Sequence, residues 1–193
     1  MAERERERER ELMTLPADLP IPVDDGACDH LVGLRLPDIA LRSTRGRLVN
    51  PARQPGVVVV YCYPRTGRPD RPIPADWDAI PGARGCTPQN CSFRDQHAEL
   101  ESFGASVYGM STQTPDYQLE MAQRLALPHE VLSDAQLAFT RALRLPTFDF
   151  GGETLVKRLS IIARDGTIQK VFYPVFPSDS DASNVVAWLR RNA

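Results

Sequence analysis

No apolar run in this chain approaches the length needed to span a membrane. Its N-terminus also lacks the apolar segment of a secretory leader, so the expectation is a cytoplasmic protein. Neither sign of charge is in excess: 23 Lys and Arg stand against 25 Asp and Glu, a formal net charge of -2, and nothing in that balance points to nucleic acid. Four cysteines in 193 residues are too few for a disulfide scaffold. In a reducing compartment they point instead to catalysis, metal binding or plain burial. Cys28-Asp29-His30 could begin a metal site, but no second Cys/His pair of matching character follows, and an incidental surface segment is the plainer reading. There is no internal repeat. The length suits one well-buried domain, and nothing demands two.

Residues Ala2 to Glu11 alternate Glu and Arg. On a helix, like charges would fall at i,i+4 and opposite charges at i,i+3, so gains and losses largely cancel. With no apolar face to bury, a frayed or disordered tail is expected. Pro16, Pro20 and Pro22 continue it as an extended arm, giving a tail and arm over residues 1–32 before a domain over 33–193. Ile39 to Leu41 and Arg47 to Val49 suggest a short hairpin around Thr44-Arg45-Gly46. Val57 to Tyr63 is a continuous β-branched run that fits a central strand buried on both faces, with Cys62 as a core residue. Residues 65–84 carry four prolines, 69, 72, 74 and 81, and read as a stiff excursion that Trp77 anchors to the body. Ala105 to Met110 is a second buried strand, and Thr114-Pro115-Asp116 opens a helix that ends before Pro128. After a short strand over Glu130 to Leu132, Ser133 with Gln136 forms a capping box for a helix to Leu143. Arg158 to Ala163 and Thr167 to Phe172 flank the turn Arg164-Asp165-Gly166. A last helix starts near Ser180. The order is a βαβ unit followed by a ββα unit, the thioredoxin-like α/β arrangement: a central mixed sheet with helices on both faces.

The stretch that carries chemistry runs from Gly85 to Asp95. Thr87 is a good N-cap and Pro88 fits a first helical position, with Phe93, His97 and Leu100 following at helical spacing up to Gly104. Cys86 then lies at the positive end of a helix, which favours the thiolate. Cys91 comes five residues later, so the pair is not the Cys-x-x-Cys of a thioredoxin-type reductase. In a continuous helix, residues so spaced differ by about 140° and have Cα atoms roughly 8.6 Å apart, beyond the reach of about 4.4–6.8 Å for a disulfide. The two thiols can bond only if the first turn unwinds. That suits a reaction in which one cysteine is oxidised alone and the second resolves it.

Gly85-Cys86-Thr87, Cys91 and Phe93-Arg94-Asp95 resemble the active-site helix of peroxiredoxins, and within them the Q, or bacterioferritin-comigratory, subfamily. The resemblance runs from Gly33-Leu34-Arg35-Leu36-Pro37-Asp38 to the C-terminus. It takes in Tyr63-Pro64, Leu127-Pro128, Leu132-Ser133-Asp134 and Lys157-Arg158-Leu159-Ser160. It implies a thioredoxin-like fold and a thiol-dependent peroxidase that needs no metal or organic cofactor. Cys86 would attack hydrogen peroxide or an organic hydroperoxide, and Cys91 would close an intramolecular disulfide. A thioredoxin-like or other dithiol reductant would then open it, in a monomer or dimer that engages neither nucleic acid nor membrane. Arg158 matches the cation that begins a late strand and stabilises the leaving oxygen; Lys157 and Arg164 are fallback donors. The chain departs from the family's Pro-x-x-x-Thr-x-x-Cys pattern: Ala83 and Ala79 stand at its Thr and Pro positions, and Pro64 lies 22 residues before Cys86. Residues 65–84 read as an insertion splitting that motif. Between Gly67 and Gly85 there is no Ser, Thr or Tyr, and Thr66 becomes the candidate for the missing hydroxyl. Two other readings compete: a redox-sensing thioredoxin-like module without efficient turnover, and a zinc-binding domain using Cys86, Cys91 and Cys28 or His97.

Overall fold

The valine run is the axis of the molecule. In the computed structural model, which describes residues 2–192, Val57–Cys62 is the strand between two layers of core. Val57, Val59 and Tyr61 face one layer and Val58, Val60 and Cys62 the other. In chain order the elements are α1 (Ala2–Met13), β1 (Leu41–Ser43), β2 (Leu48–Val49), β3 (Val57–Cys62), α2 (Cys86–Asp95), α3 (His97–Ser102), β4 (Ala105–Ser111), α4 (Pro115–Arg124), β5 (Glu130–Ser133), α5 (Ala138–Leu143), β6 (Thr147–Phe150), β7 (Glu153–Val156), β8 (Leu159–Arg164), β9 (Thr167–Phe172) and α6 (Asp181–Asn192).

Seven strands form one sheet in the order β2-β1-β5-β4-β3-β8-β9. β3, β4 and β5 run parallel, while β8 and β9 return antiparallel on one side and β1 and β2 on the other. Phe93, Leu100, Met121, Val185 and Leu189 bring α2, α3, α4 and α6 onto one face. Phe139 and Leu143 of α5 cover the other together with Cys28, Leu31 and Leu36 from the N-terminal arm. The expected βαβ and ββα units and the mixed sheet between helices are therefore present. Among the described residues no helix is long and apolar enough to cross a membrane.

Four local expectations are corrected. The Glu/Arg run is not a disordered tail but helix α1, docked on α2 by the apolar residues just past it. Leu12 is buried, and Arg84 Nη2 donates to the Glu11 carbonyl at 2.6 Å, satisfying one of the open acceptors at the end of the helix. Cys28-Asp29-His30 is not a surface segment: Cys28 is buried, and His30 Nε2 meets the Leu143 carbonyl at 2.9 Å. Ser133 is the last residue of β5 and donates to the Gln113 carbonyl; Asp134 instead accepts from the Phe139 and Thr140 amides of α5. Thr87 does not cap α2, because the helix begins one residue earlier, at Cys86. The hairpin β6–β7 was not foreseen. It turns through Gly151-Gly152, and its Phe148 and Phe150 pack on Trp77, which anchors the proline-rich excursion as expected.

Candidate active site

The strand register decides what meets at the end of β3. Cys62 of β3 is paired with Leu159 of antiparallel β8, so Arg158 lies at the edge of the sheet where β3 ends. The chain leaves that edge after Tyr63, makes the excursion over 65–84 and returns through Gly85 to the N-terminus of α2. Gly85 has φ of 100°, and a Cβ there would lie 2.1 Å from Ser178 Oγ and 2.7 Å from Leu15 Cδ2, so only glycine fits. Cys86 is the first residue of the helix.

Arg158 is buried, and its guanidinium is nearly encircled. Nε donates to the Gly82 carbonyl at 3.3 Å, Nη1 to Gln89 Oε1, and Nη2 to the carbonyls of Ala83 and Arg84, each at 3.1 Å. Nη2 also lies 3.3 Å from Cys86 Sγ, which is itself 3.6 Å from the Ala83 carbonyl. Every protein oxygen in that set is neutral. No carboxylate touches the guanidinium, and Cys86 is the one ionisable group in direct contact with it among the described residues. The sulfur thus faces a desolvated cation that has no acid beside it. Lys157 instead pairs with Asp25 and Tyr173, and Arg164 reaches the Asn192 carbonyl, so neither fallback cation faces the thiol.

α2 is fastened to the sheet beneath it. Asn90 Nδ2 donates to the Cys86 carbonyl at 2.8 Å, and Asn90 Oδ1 accepts from the Tyr61 hydroxyl at 2.7 Å. The Tyr61 ring stacks on Phe93, with centroids 3.9 Å apart. Tyr61 lies opposite Gly109 on β4, where a Cβ would come within 2.7 Å of its hydroxyl, so glycine in mid-strand makes room for the ring.

Cys91 is also buried and is on the same helix. Burial pushes its thiol up, and its Sγ is 3.8 Å from Met13 Sδ of α1. Cys62 and Cys28 lie in the core, where burial raises both thiols, Cys28 to about 12. All four cysteines are free. Thr66 is fully buried and lines one cleft with Cys86, Leu12, Trp77 and Tyr117. Its amide and its hydroxyl both donate to Gln113 Oε1, at 2.8 and 3.1 Å. The fold thus gathers Cys86, Cys91, Arg158 and Thr66 around one helix and its cleft. Among the described residues no three His, Cys, Asp or Glu side chains are grouped so as to hold a metal ion.

Comparison with known proteins decides the family. The redoxin family model matches residues 31–189. Peroxiredoxin Bcp of Escherichia coli is 30% identical over 162 residues, covering 81% of this chain and 94% of its own. Chloroplastic peroxiredoxin Q of Gentiana triflora is 27% identical over 93% of this chain and 78% of its own. The solved structure of peroxidoxin BcpB from Mycobacterium tuberculosis is 25% identical and superposes over 85% of this chain and 99% of that one, with a TM-score of 0.69. The chain belongs to the redoxin family, as a peroxiredoxin of the Q type. Peroxiredoxins of this type are thiol-dependent peroxidases, and this peroxiredoxin has the thioredoxin-like fold that activity is built on.

Three polar residues around the thiol were missed by sequence reasoning: Gln89, Asn90 and Asp181. Gln89 and Asn90 lie on buried turns of a short polar helix, and Asp181 opens α6, where an acid reads as a helix-dipole partner. Nothing in their spacing distinguishes them from surface residues.

Proposed function

We propose that Cys86 is the nucleophile of this peroxidase. Its thiolate attacks the distal oxygen of a hydroperoxide and the O–O bond breaks. Cys86 is oxidised to a sulfenic acid, and the remaining oxygen leaves as alkoxide or hydroxide, to be protonated to alcohol or water. Arg158 holds the thiolate and donates to the oxygen on which charge develops. Thr66 supplies a hydroxyl that donates to Gln113 Oε1, leaving its oxygen free to accept a hydrogen bond from the peroxide O–H. Cys91 then condenses with the sulfenic acid, forming the S–S bond and releasing water, and a thioredoxin-like or other dithiol returns both thiols by exchange. The observation that carries this reading is the 3.3 Å contact between Cys86 Sγ and an Arg158 guanidinium that touches no carboxylate.

Since both cysteines are on α2, five residues apart, the second step needs the first turns of that helix to open. A compartment that keeps thiols reduced suits a chain with four free cysteines, and the cytoplasm is the simplest such place. Peptide mass spectrometry after one equivalent of hydroperoxide tests the scheme. The expected product is a Cys86–Cys91 bond within one chain, with Cys28 and Cys62 still reduced. Cys91→Ser is expected to stop at the sulfenic acid and then over-oxidise. A dominant bond between any other pair would remove Cys91 from the mechanism.

A further inference from the structure

Asp181 is the one fully buried acid beside the site, and nothing in the peroxide scheme uses it. It is the first residue of α6. Its Oδ2 accepts from Gln89 Nε2 at 2.6 Å and from Ser160 Oγ at 2.7 Å, while its Oδ1 has no partner among the described residues. Burial holds its carboxyl at about 6, well above the ordinary 3.8, because no cation touches it. A charge kept in the core on such terms is costly. What it does is anchor one amide by a charge-assisted hydrogen bond. A carboxylate can only accept, so Gln89 must turn its NH2 toward Asp181, and its Oε1 is then left facing Arg158 Nη1. The donor-only guanidinium and the Cys62 carbonyl, 3.4 Å from Gln89 Nε2, favour the same orientation, so a neutral partner at 181 would weaken the anchor of that amide rather than reverse it.

We propose that Asp181 is a positioning residue for the peroxide step, fixing Gln89 so that its Oε1 holds the Arg158 guanidinium against Cys86. The proposal rests on the roles of Cys86 and Arg158 given above. The titratable and charged groups around Asp181 are Arg158, beyond the Gln89 amide, and Tyr61 and Cys62 on β3. None of them contacts it directly, so Gln89 is the connection from Asp181 to the reacting sulfur.

The test is the rate of the peroxide step by stopped flow, together with the pH profile of Cys86 alkylation by iodoacetamide, read by peptide mass spectrometry. Removing a transition-state donor outright costs about a hundredfold or more, and Asp181→Asn loosens that donor rather than removing it. It is therefore expected to slow the peroxide step by roughly tenfold and to move the alkylation profile to higher pH. A role confined to packing would leave the alkylation profile where it is. Parent-like rate and profile in Asp181→Asn would overturn the proposal. If Asp181→Asn does not fold, Gln89→Met keeps the acid, removes the link and is expected to show the same loss; a parent-like Gln89→Met overturns it equally. Arg158→Met, measured alongside, separates the two levels. If it too is parent-like, the reading of Arg158 fails; if it alone is slow, only the role of Asp181 fails.

Discussion

A buried guanidinium with only neutral oxygens around it needs a negative partner, and Cys86 is the ionisable group it touches. Arg158→Met keeps the bulk and removes both the charge and the donors. It is expected to slow peroxide reduction by at least about a hundredfold, in line with loss of one transition-state donor; a near-parent rate would mean that another cation reaches the sulfur. At Thr66 the expectation is narrower. Thr66→Val keeps the shape but loses the hydroxyl, and is expected to retain the fold while slowing the same step, with Thr66→Ser restoring most of the rate. Equal rates in Thr66→Val and the parent would leave Thr66 as a turn residue held by Gln113. Cys86 and Arg158 were legible in the sequence because each sits at a marked place, a glycine-led helix start and the first residue before an apolar strand. Gln89 and Asp181 were not, since their meaning lies in the direction of hydrogen bonds between elements 92 residues apart.

At the scale of elements, α1 shows how a pattern argument can be right about forces and wrong about outcome. Its alternating charges do cancel and offer no apolar face, as the sequence says. The helix is nonetheless held by the residues at its C-terminal end: Leu12 in the cleft beside Cys86, Met13 against Cys91 and the Glu11 carbonyl on Arg84. Docking by so few residues makes α1 the cover of Cys91. Burying a leucine is worth about 1.5–3 kcal/mol, so Leu12→Ser is expected to raise the alkylation rate of Cys91 by about tenfold or more. An unchanged rate would show that α2 alone shields the thiol. The β6–β7 hairpin escaped notice for a related reason. Its strands are half exposed, and its aromatic residues face an excursion rather than the main core, so its pattern is not that of a buried strand.

For the whole molecule, the main sheet was legible because β3, β4, β8 and β9 announce themselves by apolar runs and turns. The opposite pH dependences of two buried titratable groups were not. Asp181 is raised from 3.8 to about 6, so the folded state binds its proton more readily than the unfolded chain does. That contribution is fully present below pH 3.8 and is lost as pH rises through about 6, and it is worth roughly 3 kcal/mol. His129 acts in the other direction. Burial first, then the charges of His97 and Arg45, lower it from 6.5 to about 3, so it adds stability above pH 6.5 that is lost as pH falls. Across pH 4 to 6 the two slopes largely offset each other. Asp181→Asn removes one of them. Chemical denaturation of parent and variant at matched pH is therefore expected to show the variant losing roughly 2 to 3 kcal/mol relative to the parent between pH 7 and pH 4. Groups common to both chains cancel in that difference. A difference independent of pH would mean that Asp181 titrates in the folded protein as it does in the unfolded chain.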